Sequence, residues 1–124
     1  MDEGRGLIVE AIRQLRQQIQ WRPGKDVAHL SKRIALGHLA VGTTIADYEA
    51  LILNVVTTPT ADVFVYGWGN VIYPTVVAEV AGVRWLVMMS LEGIMETAFP
   101  PEEPDVYLAG PQFQRLGTLE ELGL

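Results

Sequence analysis

The spacing of apolar residues changes near Pro59, and that change limits the possible architecture more than any other feature of the chain. Before it, Leu7, Ile8, Ala11, Ile12, Leu15 and Ile19 recur with Arg13, Arg16 and Gln17 between them, the pattern of a helix with one buried stripe. After it come short runs rich in β-branched and aromatic residues, separated by glycine-containing turns, which read as strands. Helices gathered ahead of a sheet predict an α+β fold, with the N-terminal helices packed on one face of a four-stranded antiparallel meander.

A first helix is expected over about residues 5–20, ended by Trp21-Arg22-Pro23-Gly24, since the residue before a proline is pushed out of helical geometry. A second runs from about Asp26, as N-cap, to about Leu36, with Gly37 as C-cap. Thr44 and Asp47 resemble a capping box, and open a third helix with Ile45, Tyr48, Leu51, Ile52 and Val55 inward. The strands are 62–66, 71–80, 83–89 and 94–99. Pro74 implies an edge position or a bulge for the second, and the apolar third belongs at the centre. Residues 100–124 read as an irregular tail, in which 105–108 return as a short extension and 118–122 make one helical turn or fray. One domain spans 1–124, with residues 1–22 as a possible add-on.

The chain is 49% hydrophobic and 19% charged, enough apolar material for a core. It has no cysteine, which excludes disulfides, thiolate ligands and cysteine catalysis. No apolar run approaches the roughly 20 residues of a membrane span, and Met-Asp-Glu-Gly-Arg lacks a signal-peptide start. The expectation is a soluble, cytoplasmic protein with no membrane association. The net charge of −6 argues against broad nucleic-acid affinity, but it is unevenly spread: from Arg13 to His38 there are six cations and one acid, Asp26. A local potential of this kind steers an anionic ligand, or gives a helix a soluble face.

Both histidines lie in the run Asp26-Val-Ala-His29-Leu-Ser-Lys32-Arg33-Ile-Ala-Leu-Gly37-His38. Helical spacing puts His29, Lys32 and Arg33 on one face, an imidazole beside two cations, while His38 falls at the helix terminus. The arrangement suits an anion or phosphate site with a general base; it equally suits a solvated helix face. There is no glycine-rich phosphate loop and no His-Glu-x-x-His motif. Glu79, Glu92 and Glu96 are too dispersed for a carboxylate metal site, and Ser31 and Ser90 lack the setting of an activated nucleophile. No metal or other cofactor is expected.

The His29-x-x-Lys32-Arg33 helix, the helix Tyr48-x-x-Leu-Ile-x-x-Val-Val-x-x-Pro59, the strands Asp62-Val-Phe-Val and Trp85-Leu-Val-Met-Met, and Met95-Glu-Thr97-Ala-Phe99 with Tyr107-Leu108 close behind occur in an order with precedent. Over residues 25–108 the chain resembles the barnase–EndoU–colicin–RelE-like ribonuclease superfamily, in its phage-associated and polymorphic-toxin branch. The resemblance implies metal-independent RNA cleavage through the ribose 2′-hydroxyl. It implies His29 as general base or acid, Arg33 or Lys32 on the scissile phosphate, and Thr97 binding phosphate or positioning the base. His38 would be the second acid–base group, Tyr107 a substrate-binding tyrosine and Arg84 a substrate-binding cation on the sheet. RNA is then a partner, and an antitoxin or immunity protein another.

Departures from the family pattern keep a second class open. The family's RNA-cleaving members are usually basic and this chain is acidic, and the four expected strands carry Arg84 as their only cation. Arg84 also suits an ion pair with Glu79 or Glu96, and Thr97 is an ordinary strand residue. The alternative is a catalytically inactive α+β interaction module, such as a homo-oligomeric accessory subunit or an immunity-type binding protein.

Overall fold

The computed structural model describes residues 2–124; Met1, the start of the N-terminal segment read above, lies outside them. In chain order the elements are α1 (Asp2–Gln17), β1 (Gln20–Trp21), α2 (Lys25–Ala35), α3 (Ile45–Thr57), β2 (Asp62–Trp68), β3 (Val71–Val80), β4 (Val83–Met89), β5 (Ile94–Phe99), α4 (Pro104–Leu108) and β6 (Phe113–Thr118). The α+β class holds. The sheet is larger than expected, with six strands in the order β1-β5-β4-β3-β2-β6. β2 to β5 pair antiparallel with their neighbours in sequence, β6 adds antiparallel to β2, and β1 adds parallel to β5, so the sheet is mixed.

Several expectations are corrected. The first helix ends at Gln17, because the chain then runs extended to pair Gln20 with Ile94 and Trp21 with Met95. β3 is central, although Pro74 suggested an edge or a bulge: Pro74 pairs in register with Val65, while the ladder to β4 begins at Thr75. Pro74 thus lies past the end of that ladder. Residues 105–108 are helix rather than an extension, and 113–118 form β6, so the C-terminal segment is not an irregular tail. Asp26 is not the N-cap of α2. Gly24 holds that place, with positive φ and no side-chain cap. The Thr44–Asp47 capping box of α3 is present in both directions.

Val63, Val76, Val87 and Ala98 form a buried row across β2 to β5, covered by Ile8, Ile12 and Leu15 of α1 and Tyr48, Ile52 and Val55 of α3. α1 is part of this core. At the turn before β5, Gly93 has φ 78°, and a Cβ there would stand 2.9 Å from the Ala11 carbonyl oxygen. On the other face, Phe64, Val77, Leu86 and Met88 pack beneath Leu108 of α4. Among the described residues, no helix is long and apolar enough to cross a membrane.

Candidate functional site

Half of the basic run is engaged in structure. Arg13 faces Glu10 on α1, the Arg16 Nε donates to the Val56 carbonyl at 2.7 Å, and Arg22 pairs with Glu96. Arg33 is different. It is 4% exposed, its buried Nε has no hydrogen-bond partner, and its side chain forms no ion pair among the described residues. Its guanidinium carbon lies 5.5 Å from the centre of the Phe99 ring, within cation–π range. Burial lowers its proton affinity from the ordinary value, with Tyr48 opposing, yet an arginine stays charged at neutral pH. A buried cation without an anion is costly, and an unpartnered buried polar atom of this kind calls for an explanation.

The end of α2 sets His38 beside it. Gly37, with φ 77°, turns the chain; its N–H donates to the Ile34 carbonyl at 3.0 Å and the His38 N–H to the Arg33 carbonyl at 2.8 Å. This paired closure needs a residue that tolerates positive φ. It also occupies the Arg33 and Ile34 carbonyls near the end of α2. An open cleft of about 320 Å³ results, lined by Lys32, Arg33, Leu36 and His38 on one side and Phe99, Pro100, Pro101 and Glu102 on the other. The His38 Nδ1 is buried without a partner. Burial and then Arg33 lower the His38 imidazole from its ordinary value, against the pull of Glu102. It is therefore neutral near pH 7 and able to accept a proton.

The other sequence candidates are distributed elsewhere. His29 stacks on Trp21 with ring centres 5.7 Å apart, and does not line the cleft. Burial, then Arg33, Lys25 and Lys32, lower its imidazole, with Glu96 opposing. Thr97 pairs with Met88 on β4, two residues before Phe99 and on the same strand face, half-buried and outside the cleft. Arg84 stands opposite Glu79 in the ladder, but its Nη1 pairs with Asp105 of α4 at 2.7 Å rather than with Glu79 or Glu96. It is not the sheet's only cation, because β6 brings Arg115, paired with Asp62 at 2.8 Å. Tyr107 meets the Phe99 ring at 5.7 Å and 85°, and lines an adjoining cleft.

Sequence reasoning missed Phe99 as the platform under Arg33, and Pro100-Pro101 as the opposite wall. The available signal was a strand ending in Phe before Pro-Pro, where the chain must leave the sheet. It also missed how Tyr48 supports the site. Fully buried between Trp21 and Trp85, Tyr48 donates its hydroxyl to the Ala98 carbonyl, next to Phe99, and burial pushes that hydroxyl up to about 12. Among the described residues, no three His, Asp or Glu side chains gather as a metal-binding group. No known family model matches the chain, nor does any curated protein or solved structure.

Proposed function

We propose that this protein binds the phosphodiester backbone of RNA in the Arg33 cleft and cleaves it without a metal, through the ribose 2′-hydroxyl. The observation that carries the reading is Arg33 itself, buried and unpaired beside a neutral imidazole in an open cleft. In this reading Arg33 and Lys32 hold the non-bridging oxygens and offset charge developing on phosphorus. His38 takes the 2′-proton. Lys32, on the same wall of the cleft, supplies a proton to the leaving 5′-oxygen. The products are a 2′,3′-cyclic phosphate and a 5′-hydroxyl.

A second reading has its own support. Only one of the two histidines lines the cleft, and Glu102 stands on its rim, so the site also suits an anion-binding interaction module without catalysis. The two separate in one experiment. Purified protein with EDTA is incubated on labelled mixed-sequence RNA beside folded Arg33→Met, His38→Gln and His29→Gln variants. Cyclic-phosphate ends that vanish with Arg33→Met and His38→Gln support the nuclease. RNA left intact at high protein concentration, or cut equally by every variant, removes it.

A further inference from the structure

We infer that the cleft continues past Phe99 into a subsite for a nucleobase bearing an amino group, with Tyr107 as the stacking surface and Glu103 as the acceptor. The inference rests on the reading of the Arg33 side as a phosphate site. The adjoining cleft, of about 280 Å³, shares Phe99, Pro101 and Glu102 with the first and adds Glu103, Val106 and Tyr107. One end of the combined groove is cationic, and the other is apolar with carboxylates at its edge. A nucleotide has the same division, with its anion one sugar away from a flat ring.

Tyr107 is suited to stack. It is 42% exposed, while its ring is backed by Phe99 at 5.7 Å and by Phe113 at 5.4 Å. The neighbouring Val106 is 68% exposed, an apolar surface with no cover among the described residues. Leu108 packs α4 onto Phe64, Leu86 and Met88 of the sheet, so the tyrosine stands on a held element. Stacking on an aromatic ring is tolerant of base identity; selection falls to the rim. No cation lines this side, so the base edge that meets it must donate hydrogen bonds. A carboxylate accepts from an exocyclic amino group, as on cytosine N4. Uracil has a carbonyl oxygen, O4, where that amino group would be, and it faces the Glu103 carboxylate unfavourably.

The test is binding of mononucleotides, which contain no scissile bond. Inorganic phosphate, cytidine 3′-monophosphate and uridine 3′-monophosphate are titrated into the full chain, followed by calorimetry and by the backbone amide signals of His38 and Tyr107. The cytidine nucleotide should bind about tenfold tighter than phosphate and several-fold tighter than the uridine nucleotide. Tyr107→Leu, which keeps apolar bulk over Phe113, should reduce it to the level of phosphate while leaving phosphate binding unchanged. Glu103→Gln, at an exposed position, should erase the preference over uridine. A cytidine nucleotide no tighter than phosphate, or unaffected by Tyr107→Leu, overturns the subsite alone. Failure of phosphate and both nucleotides to move the His38 signal overturns the phosphate site and the subsite together.

Discussion

The two ends of α2 carry the same kinds of side chain and use them differently. At the N-terminal end, His29 lies on Trp21, which stacks in turn on Tyr48 and donates its indole N–H to Glu49 at 2.9 Å. At the C-terminal end, Arg33 and His38 each retain a buried polar atom with no partner, and both border an open cleft. At one end the imidazole is packed against a ring of the fold. At the other, two buried polar atoms find no partner within the fold. Sharing a helix face with a cation does not make an imidazole part of a site; what stands opposite decides it.

The largest expected effect falls on Arg33. Arg33→Met keeps the volume over Phe99 and removes the charge; we expect RNA cleavage to fall by about 10²- to 10³-fold. The same change should leave stability equal or raise it by about 1 kcal/mol, because an unsatisfied buried polar group is removed. A loss of more than about 1 kcal/mol would instead show Arg33 to be a structural cation. Next, His38→Gln should lower the single-turnover rate by about 10²-fold, the usual scale for a general base, with unfolding midpoint little changed.

At the packed end the order of effects should reverse. Trp21→Ala opens a gap between His29 and Tyr48, and should cost about 2 kcal/mol in denaturant unfolding, less than for a fully buried tryptophan. Its cleavage rate per folded molecule should stay within about threefold of the wild type, the range expected of a residue that only packs. The pH dependence is a smaller effect. Both imidazoles are held below the ordinary 6.5, so between their folded values and 6.5 the unfolded chain binds more protons. Stability is then fully present above 6.5 and declines as acid is added through that window. Cleavage should fall at the acid end of that window, where the folded His38 takes up a proton. His29→Gln should flatten part of the stability profile and leave the rate profile in place. A rate profile that disappears with His29→Gln would move the base to the packed end and break the contrast.

The three main helices and the four central strands were legible because each has a clear apolar period and a turn at either end. The strands at the two edges were not. β1 is two residues long and exists by pairing with β5, a contact no local pattern encodes. β6 contains Gly117 at φ 143° and pairs across a register shift at Val63/Phe64, which blurs its alternation. The site divides in the same way. Helical spacing grouped His29, Lys32 and Arg33, of which the last two line one cleft, and Gly37 marked the end of the helix. That spacing could not show that Trp21 would stand opposite His29 and Phe99 opposite Arg33, since Trp21 is placed by the pairing of β1 with β5 and Phe99 comes from β5 itself. The basic run also looked like one patch in sequence, whereas Arg13, Arg16 and Arg22 each have an acceptor of their own.

The most direct test of the central claim, that Arg33 is left unpaired for an external anion, is thermal unfolding with and without inorganic phosphate at constant ionic strength. Binding to the folded state raises its stability by about 2.7 kcal/mol at a hundredfold excess over Kd. The wild type should gain several degrees with phosphate, whereas Arg33→Met should begin at an equal or higher Tm and gain nothing. Equal phosphate responses in the two proteins, or no response in either, would contradict the account.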